Sequence, residues 1–150
     1  MSREFITSSK LQADFCWLIQ GVSFPFEGQT KYLTELISGK VYQSGYRPRD
    51  SRDEDIVVTH TAGIARKDLV RGEITINIFS QDISMNGVLV ANPQRVPLLE
   101  QALQAWVKAL NLNETHYLIS LLEPIKTVED TTSKEHFIVA HLQYEYCLTN

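Results

Sequence analysis

The chain has 150 residues, 43% of them hydrophobic and 21% charged, which excludes a largely disordered protein and suits a single domain spanning 1–150. Fourteen Lys plus Arg against eighteen Asp plus Glu give a net charge of −4, the wrong sign for a protein whose main task is to coat phosphate backbones. The longest apolar runs fall far short of the ~20 residues that a membrane span needs, so no membrane partner is expected.

The N-terminal stretch MSREFITSSK has no apolar signal region, so no signal peptide is read and an intracellular protein is expected. Ser8 to Gln20 places Leu11, Phe15, Leu18 and Ile19 at helical spacing, with Ser8 or Ser9 available as N-cap and Gly21 as the stop. A short amphipathic helix is predicted there, with Trp17 read as core. Val22 to Gln29 holds Pro25 between two phenylalanines and then Gly28, the signature of an irregular connection pinned by aromatic rings. Tyr32 to Ile37 suits one or two helical turns, or the approach to a short strand at Lys40 to Gln43.

Gly45 to Asp55 changes character abruptly. It contains Pro48, alternating charge and no apolar residue after Tyr46, and predicts a solvated, locally salt-bridged loop or arm. The carboxylates Asp53, Glu54 and Asp55 read as part of that solvated surface. Asp55 to Thr61 and Arg71 to Asp82 follow as strands; in the second, Ile74, Ile76 and Ile78 alternate with Thr75, Asn77 and Phe79. A long hairpin joins them, with its connection at Ala62 to Val70 and with Gly63 and Gly72 as turn or bulge positions. Asn86-Gly87 marks a turn inside a partly packed loop or small hairpin.

From Val96 to Leu110, the positions Leu99, Ala102, Leu103, Trp106, Val107 and Leu110 form one apolar stripe, which predicts the main helix with Pro97 at its first position. His116 to Leu122 reads as a strand, Glu123 to Lys134 as a polar loop, and Glu135 to Leu148 as the closing strand. The closing strand carries Ile138, Ala140, Leu142, Tyr144, Tyr146 and Leu148 on one face. The fold class is therefore α+β: a central, mostly antiparallel sheet with a long hairpin, one main helix packed on a face and a short N-terminal helix.

Catalytic patterns are missing from the sequence. The four histidines show no metal-ligand spacing, there is no GxSxG, P-loop, GxGxxG or HExxH, and Cys16 and Cys147 read as two reduced thiols. No cofactor and no enzymatic activity are expected.

The runs Gly39-Lys40-Val41-Tyr42, Tyr46-Arg47-Pro48, Glu54 to Val58 and Gly72 to Ile78, in that order, resemble small proteins of phage and prophage tail regions, closest to the tail terminator or tail-completion family. The resemblance covers about Gly39 to Leu148. It implies a central sheet with a long hairpin, a helix packed on one face and a closing strand. It also implies a homo-oligomeric ring, typically a hexamer, which caps the tail tube and docks to the head connector. The location implied is the head–tail junction of a virion assembled in the bacterial cytoplasm. No catalytic residue carries over.

The residues expected at contacts with neighbouring subunits or partners are Arg47, Arg49 and Arg52 in the loop, Arg66, Lys67 and Arg71 at the hairpin, and Gln143 and Glu145 late in the closing strand. The alternative is a small-molecule-binding or enzymatic α+β domain with a pocket between main helix and sheet, lined by Tyr144, Tyr146 and His116. Direct nucleic-acid binding through the arginines is disfavoured by the acids interleaved with them.

Overall fold

The computed structural model describes residues 7–65, 69–113, 116–130 and 132–147. The first helix, α1 (Ser8–Gly21), is capped by Thr7, whose side chain accepts from the Lys10 N–H, one residue earlier than the cap expected at Ser8 or Ser9. Its positions Leu11, Phe15 and Ile19 recur every four residues and are fully buried. The segment expected to be irregular instead forms a small hairpin, β1 (Phe24–Phe26) and β2 (Gln29–Lys31), in which Pro25 pairs opposite Thr30. A two-residue turn at Glu27-Gly28 closes it, both residues having positive φ. Such a pair has free edges, and an edge strand tolerates the missing N–H of a proline.

Next come one helical turn, α2 (Leu33–Leu36), and a short strand, β3 (Val41–Gln43), so both readings of that ambiguous stretch are realised in succession. The long hairpin follows as β4 (Ile56–Ala65) and β5 (Leu69–Gln81); its predicted tip residues Arg66 and Lys67 lie outside the described residues. Gly63 and Gly72 are not the turn: they pair directly opposite each other within the ladder, and the irregularity falls between His60 and Ala62. A second small hairpin, β6 (Ile83–Met85) and β7 (Val88–Val90), turns at Asn86-Gly87, both at positive φ. Glycine is favoured there because the tight primed turn needs the left-handed region at both central positions.

The main helix, α3 (Arg95–Asn113), begins before the predicted point. The side chain of Asn92 accepts from the N–H groups of Gln94 and Arg95, and Pro97 is therefore the third helical residue rather than the first. It still lies in the opening turn, where N–H groups have few intrahelical partners. Then come β8 (Tyr117–Leu121), β9 (Lys126–Asp130) and β10 (Glu135–Cys147). The predicted polar loop at 123–134 thus contains a strand, β9, which pairs antiparallel with the first half of β10, while β8 pairs with the second half on the same edge.

The main sheet runs in the order β3-β4-β5-β10-β8, antiparallel throughout except where β3 lies parallel to β4. Its inner face carries Ile74, Ile76, Ile78, Ile138, Ala140, Leu142 and Tyr144, all fully buried in one cluster with Phe15 of α1 and Leu99, Leu103 and Trp106 of α3. Each such large side chain contributes about 1.5–3 kcal/mol by leaving water, so this single cluster is the main source of stability. The Trp106 indole N–H also donates to the Leu18 carbonyl at 3.2 Å and ties the two helices together. No helix covers the opposite face, among the described residues. There Thr75, Asn77, Phe79, Phe137, Val139 and His141 alternate with the core set and remain half-buried.

Candidate functional site

Among the described residues, those expected at intermolecular contacts separate into two groups in space. Arg47 does not belong to a solvated arm. Its side chain is 16% exposed, and its guanidinium donates to Asp55 Oδ2 and to Glu135 Oε1, both at 2.9 Å, while lying 3.8 Å over the Phe79 ring centre. Asp55 and Glu135, each 1% exposed, are therefore held by one cation shared between the loop and the first residue of β10. Gln81 Nε2 donates to the other Glu135 oxygen, and Asp55 also accepts from Ser51 and from the Lys40 N–H. Glu54 is likewise occupied, bonded through both oxygens to Arg95 at the start of α3. The 45–55 segment is thus a strap tied to sheet and helix, and the reading of Glu54 and Asp55 as solvated surface is corrected. Arg49 and Arg52 remain on its exposed side.

Burial by itself would raise the Asp55 carboxyl, but the bonds from Ser51, Lys40 and Arg47 outweigh it and hold the group below its ordinary value of 3.8. A depressed folded value means that the stabilisation is present above the unfolded value and is lost as pH falls through the folded one. Acid titration of the melting temperature is expected to show a decline continuing below pH 3.8, and the Asp55→Asn variant is expected to lack that part of the decline. Superimposable acid limbs for the two proteins would show that Asp55 does not carry it.

The second group lies on the outer face at the far end of the hairpin. Arg71 and Glu145 are direct cross-strand partners joined by an ion pair of 2.7 Å, and Gln143 sits on the same face beside the edge strand β8. That edge exposes Leu118 at 70% and Leu122 at 42%. The pair Arg71–Glu145 is half exposed and screened, so it contributes little to stability.

Trp17 was expected in the core and is instead 72% exposed. The reason is visible in the helix itself: at 100° per residue it lies about 200° from Phe15, on the far side of the stripe formed by Leu11, Phe15 and Ile19. Beside it opens a cleft of about 590 Å³ between α1 and the β8–β10 end of the sheet, floored by Tyr117 and Tyr146 and rimmed by Lys10, Asp14 and His116. Of the residues expected to line a pocket between main helix and sheet, Tyr146 and His116 line this cleft against α1, whereas Tyr144 is fully buried.

Tyr117 donates its hydroxyl to Asp14 at 2.7 Å, and Asp14 also pairs with Lys10 at 2.8 Å. Burial, reinforced by Asp14, raises the Tyr117 phenol well above its usual value, so it stays a neutral donor. Tyr117 and Tyr146 lie 5.3 Å apart, centroid to centroid. The surface is a wet-rimmed aromatic depression, suited to receiving apolar side chains. Behind it, Ser8 and Tyr144 bond the two nitrogens of His60, a link that fastens the start of α1 to the sheet.

Cys16 is a free thiol, buried, and pushed up to about 11 by that burial, so it is not a nucleophile at neutral pH. Among the described residues no group of three or more His, Cys, Asp or Glu side chains is placed to hold a metal ion, and no helix is long and apolar enough to cross a membrane. No protein-family model matches the chain, and no curated protein matches its sequence.

Proposed function

We propose that the protein is a structural subunit of a homo-oligomeric ring that caps a phage or prophage tail tube and joins it to the head connector, without catalysis. The observation that carries this reading is the order and placement of its elements. The long β4–β5 hairpin comes first, α3 then crosses one face of the sheet, and β10 closes the sheet against β5. That is the layout implied by the tail-terminator resemblance. The unequal faces of the sheet support it further: one is sealed by helices, while the Arg71–Glu145 end of the other and the edge at Leu118 and Leu122 remain exposed to neighbours.

Light scattering across a range of protein concentrations and at two salt concentrations tests the reading. The expected result is a discrete assembly of about six subunits, the number implied by the resemblance, or a direct passage from monomer to such a ring. A monomer at every concentration would overturn it.

A further inference from the structure

We propose that subunits join head to tail, the tip of the β6–β7 hairpin of one copy seating in the aromatic cleft beside α1 of the next. The inference rests on the ring reading and names the interface that builds it. Two unsatisfied apolar surfaces of the same chain motivate it. The first is the hairpin tip. β6 and β7 form a two-stranded sheet of their own, apart from the main one, and the tip exposes Met85 at 49%, Val88 at 62% and Leu89 at 49%. A lone two-stranded hairpin is marginal in water, and three large apolar side chains at its end make it costlier still unless something receives them.

The root of this hairpin is nevertheless held in place: Asp82, immediately before β6, bonds His136 Nδ1 of β10 at 2.6 Å. The turn at Asn86-Gly87 is a tight two-residue one, which makes the tip narrow. A fixed root and a narrow apolar end describe a plug.

The second surface is the cleft, with Trp17 exposed at its rim and Tyr117 and Tyr146 as its floor. Its volume of about 590 Å³ lies in the range of sites that accept a few side chains. Aromatic walls favour a thioether and branched aliphatic groups; Met85 would add sulfur–aromatic contacts to simple burial. The tip carries no charge, so it enters without breaking the Lys10–Asp14 pair at the rim.

The ring reading selects head-to-tail joining over a symmetric dimer, and the placement of plug and socket is compatible with it. The hairpin leaves the sheet at the Gln81–Glu135 end of β10, and the cleft sits at the Tyr117–Tyr146 end. At ~3.3 Å per residue those ends are roughly 36 Å apart along the strand. Two antiparallel copies could engage both contacts at once and would stop at two chains, whereas head-to-tail engagement leaves a plug and a socket open at the ends and so propagates and closes into a ring.

Mass measurements on Val88→Asp, on Trp17→Glu and on their equimolar mixture test the proposal. Both positions are solvent-exposed, so each variant is expected to melt as the wild type does; Leu89→Asp and Trp17→Ser replace either one if it melts early. The expected result is that each variant alone remains at the monomer mass of 17.1 kDa, while the mixture forms a two-chain species, because one intact plug and one intact socket remain between them. Wild-type tryptophan emission should also shift to shorter wavelength on assembly, reporting Trp17, since Trp106 is already buried.

An assembly of unchanged size in both variants would overturn the proposal while leaving the ring reading intact. Two monomeric variants that fail to complement would overturn the pairing of this plug with this socket. A wild-type monomer at every concentration would overturn the ring reading, and the proposal with it. A cleft that serves a small molecule predicts an unchanged mass for Trp17→Glu.

Discussion

Replacing Arg47 by alanine is expected to destabilise the fold by about 3–5 kcal/mol, the usual cost of stranding buried charge by removing one partner. For a domain of this size that corresponds to a fall in melting temperature on the order of 10 °C. The effect is large because one guanidinium serves two carboxylates, on Asp55 and Glu135, whose side chains are only 2% and 1% exposed. Removing the cation leaves both without it, and also removes the planar group stacked over Phe79.

Arg47→Lys should recover only part of the loss, since a lysine ammonium cannot reach two carboxylates and a ring face with the same fixed fork. Combining Arg47→Met with Glu135→Gln should recover more, because one of the stranded charges is then gone. Equilibrium urea unfolding reads all of these. A loss below about 1 kcal/mol for Arg47→Ala would mean that water screens the cluster as it screens a surface pair, and would refute this account.

Gly72→Ala is expected to cost about 3 kcal/mol, at the upper end of overpacking penalties. A β-carbon at that position would lie 2.2 Å from the Ala62 carbonyl oxygen, 2.7 Å from the Tyr144 hydroxyl and 2.8 Å from the Gly63 α-carbon. Two of those three neighbours are backbone of the paired strand and cannot swing aside. The hairpin would have to open where Gly63 and Gly72 face each other, and Tyr144 would be displaced from His60, to which its hydroxyl is bonded at 2.8 Å.

Gly63→Ala should be milder. Its nearest contacts, at 3.1 to 3.3 Å, are the side chains of His60 and Tyr144, which can shift by a few tenths of an ångström. Thermal melts of the two variants, compared with wild type, decide the matter. Equal and small losses in both would show that the strand pair accommodates a methyl group and that the glycines are not required by the close approach.

The expectations that held came from periodicity. Ile74, Ile76 and Ile78, and likewise Ile138, Ala140, Leu142 and Tyr144, fall at every second position of their stretches, and these became the inward faces of the paired central strands β5 and β10. The spacing of Leu99, Leu103, Trp106 and Leu110 likewise became the buried stripe of α3. Such patterns are local, and burying one face of a strand or helix is their only stable outcome, so the α+β class was legible from residues alone. Helical geometry also placed Trp17 off the α1 stripe. That signal was present in the spacing and was overridden by the general tendency of tryptophan to be buried.

What tertiary structure alone decided was the partnering of residues far apart in the chain. Arg47 and Glu135 are separated by 88 positions, and nothing near either one announces the other. A charged, proline-containing segment has the same composition whether it floats in water or straps a sheet. The difference lies in whether the fold brings a second carboxylate and an aromatic ring to the same guanidinium. Strand β9 was hidden for a related reason, since Lys126 to Asp130 alternates too weakly to announce itself and is a strand because β10 offers it a free edge. The cleft and the hairpin tip follow the same rule. Their residues were readable as apolar, but their placement at opposite ends of β10 is a property of the sheet, because register along a shared strand, not sequence distance, sets where two surfaces stand.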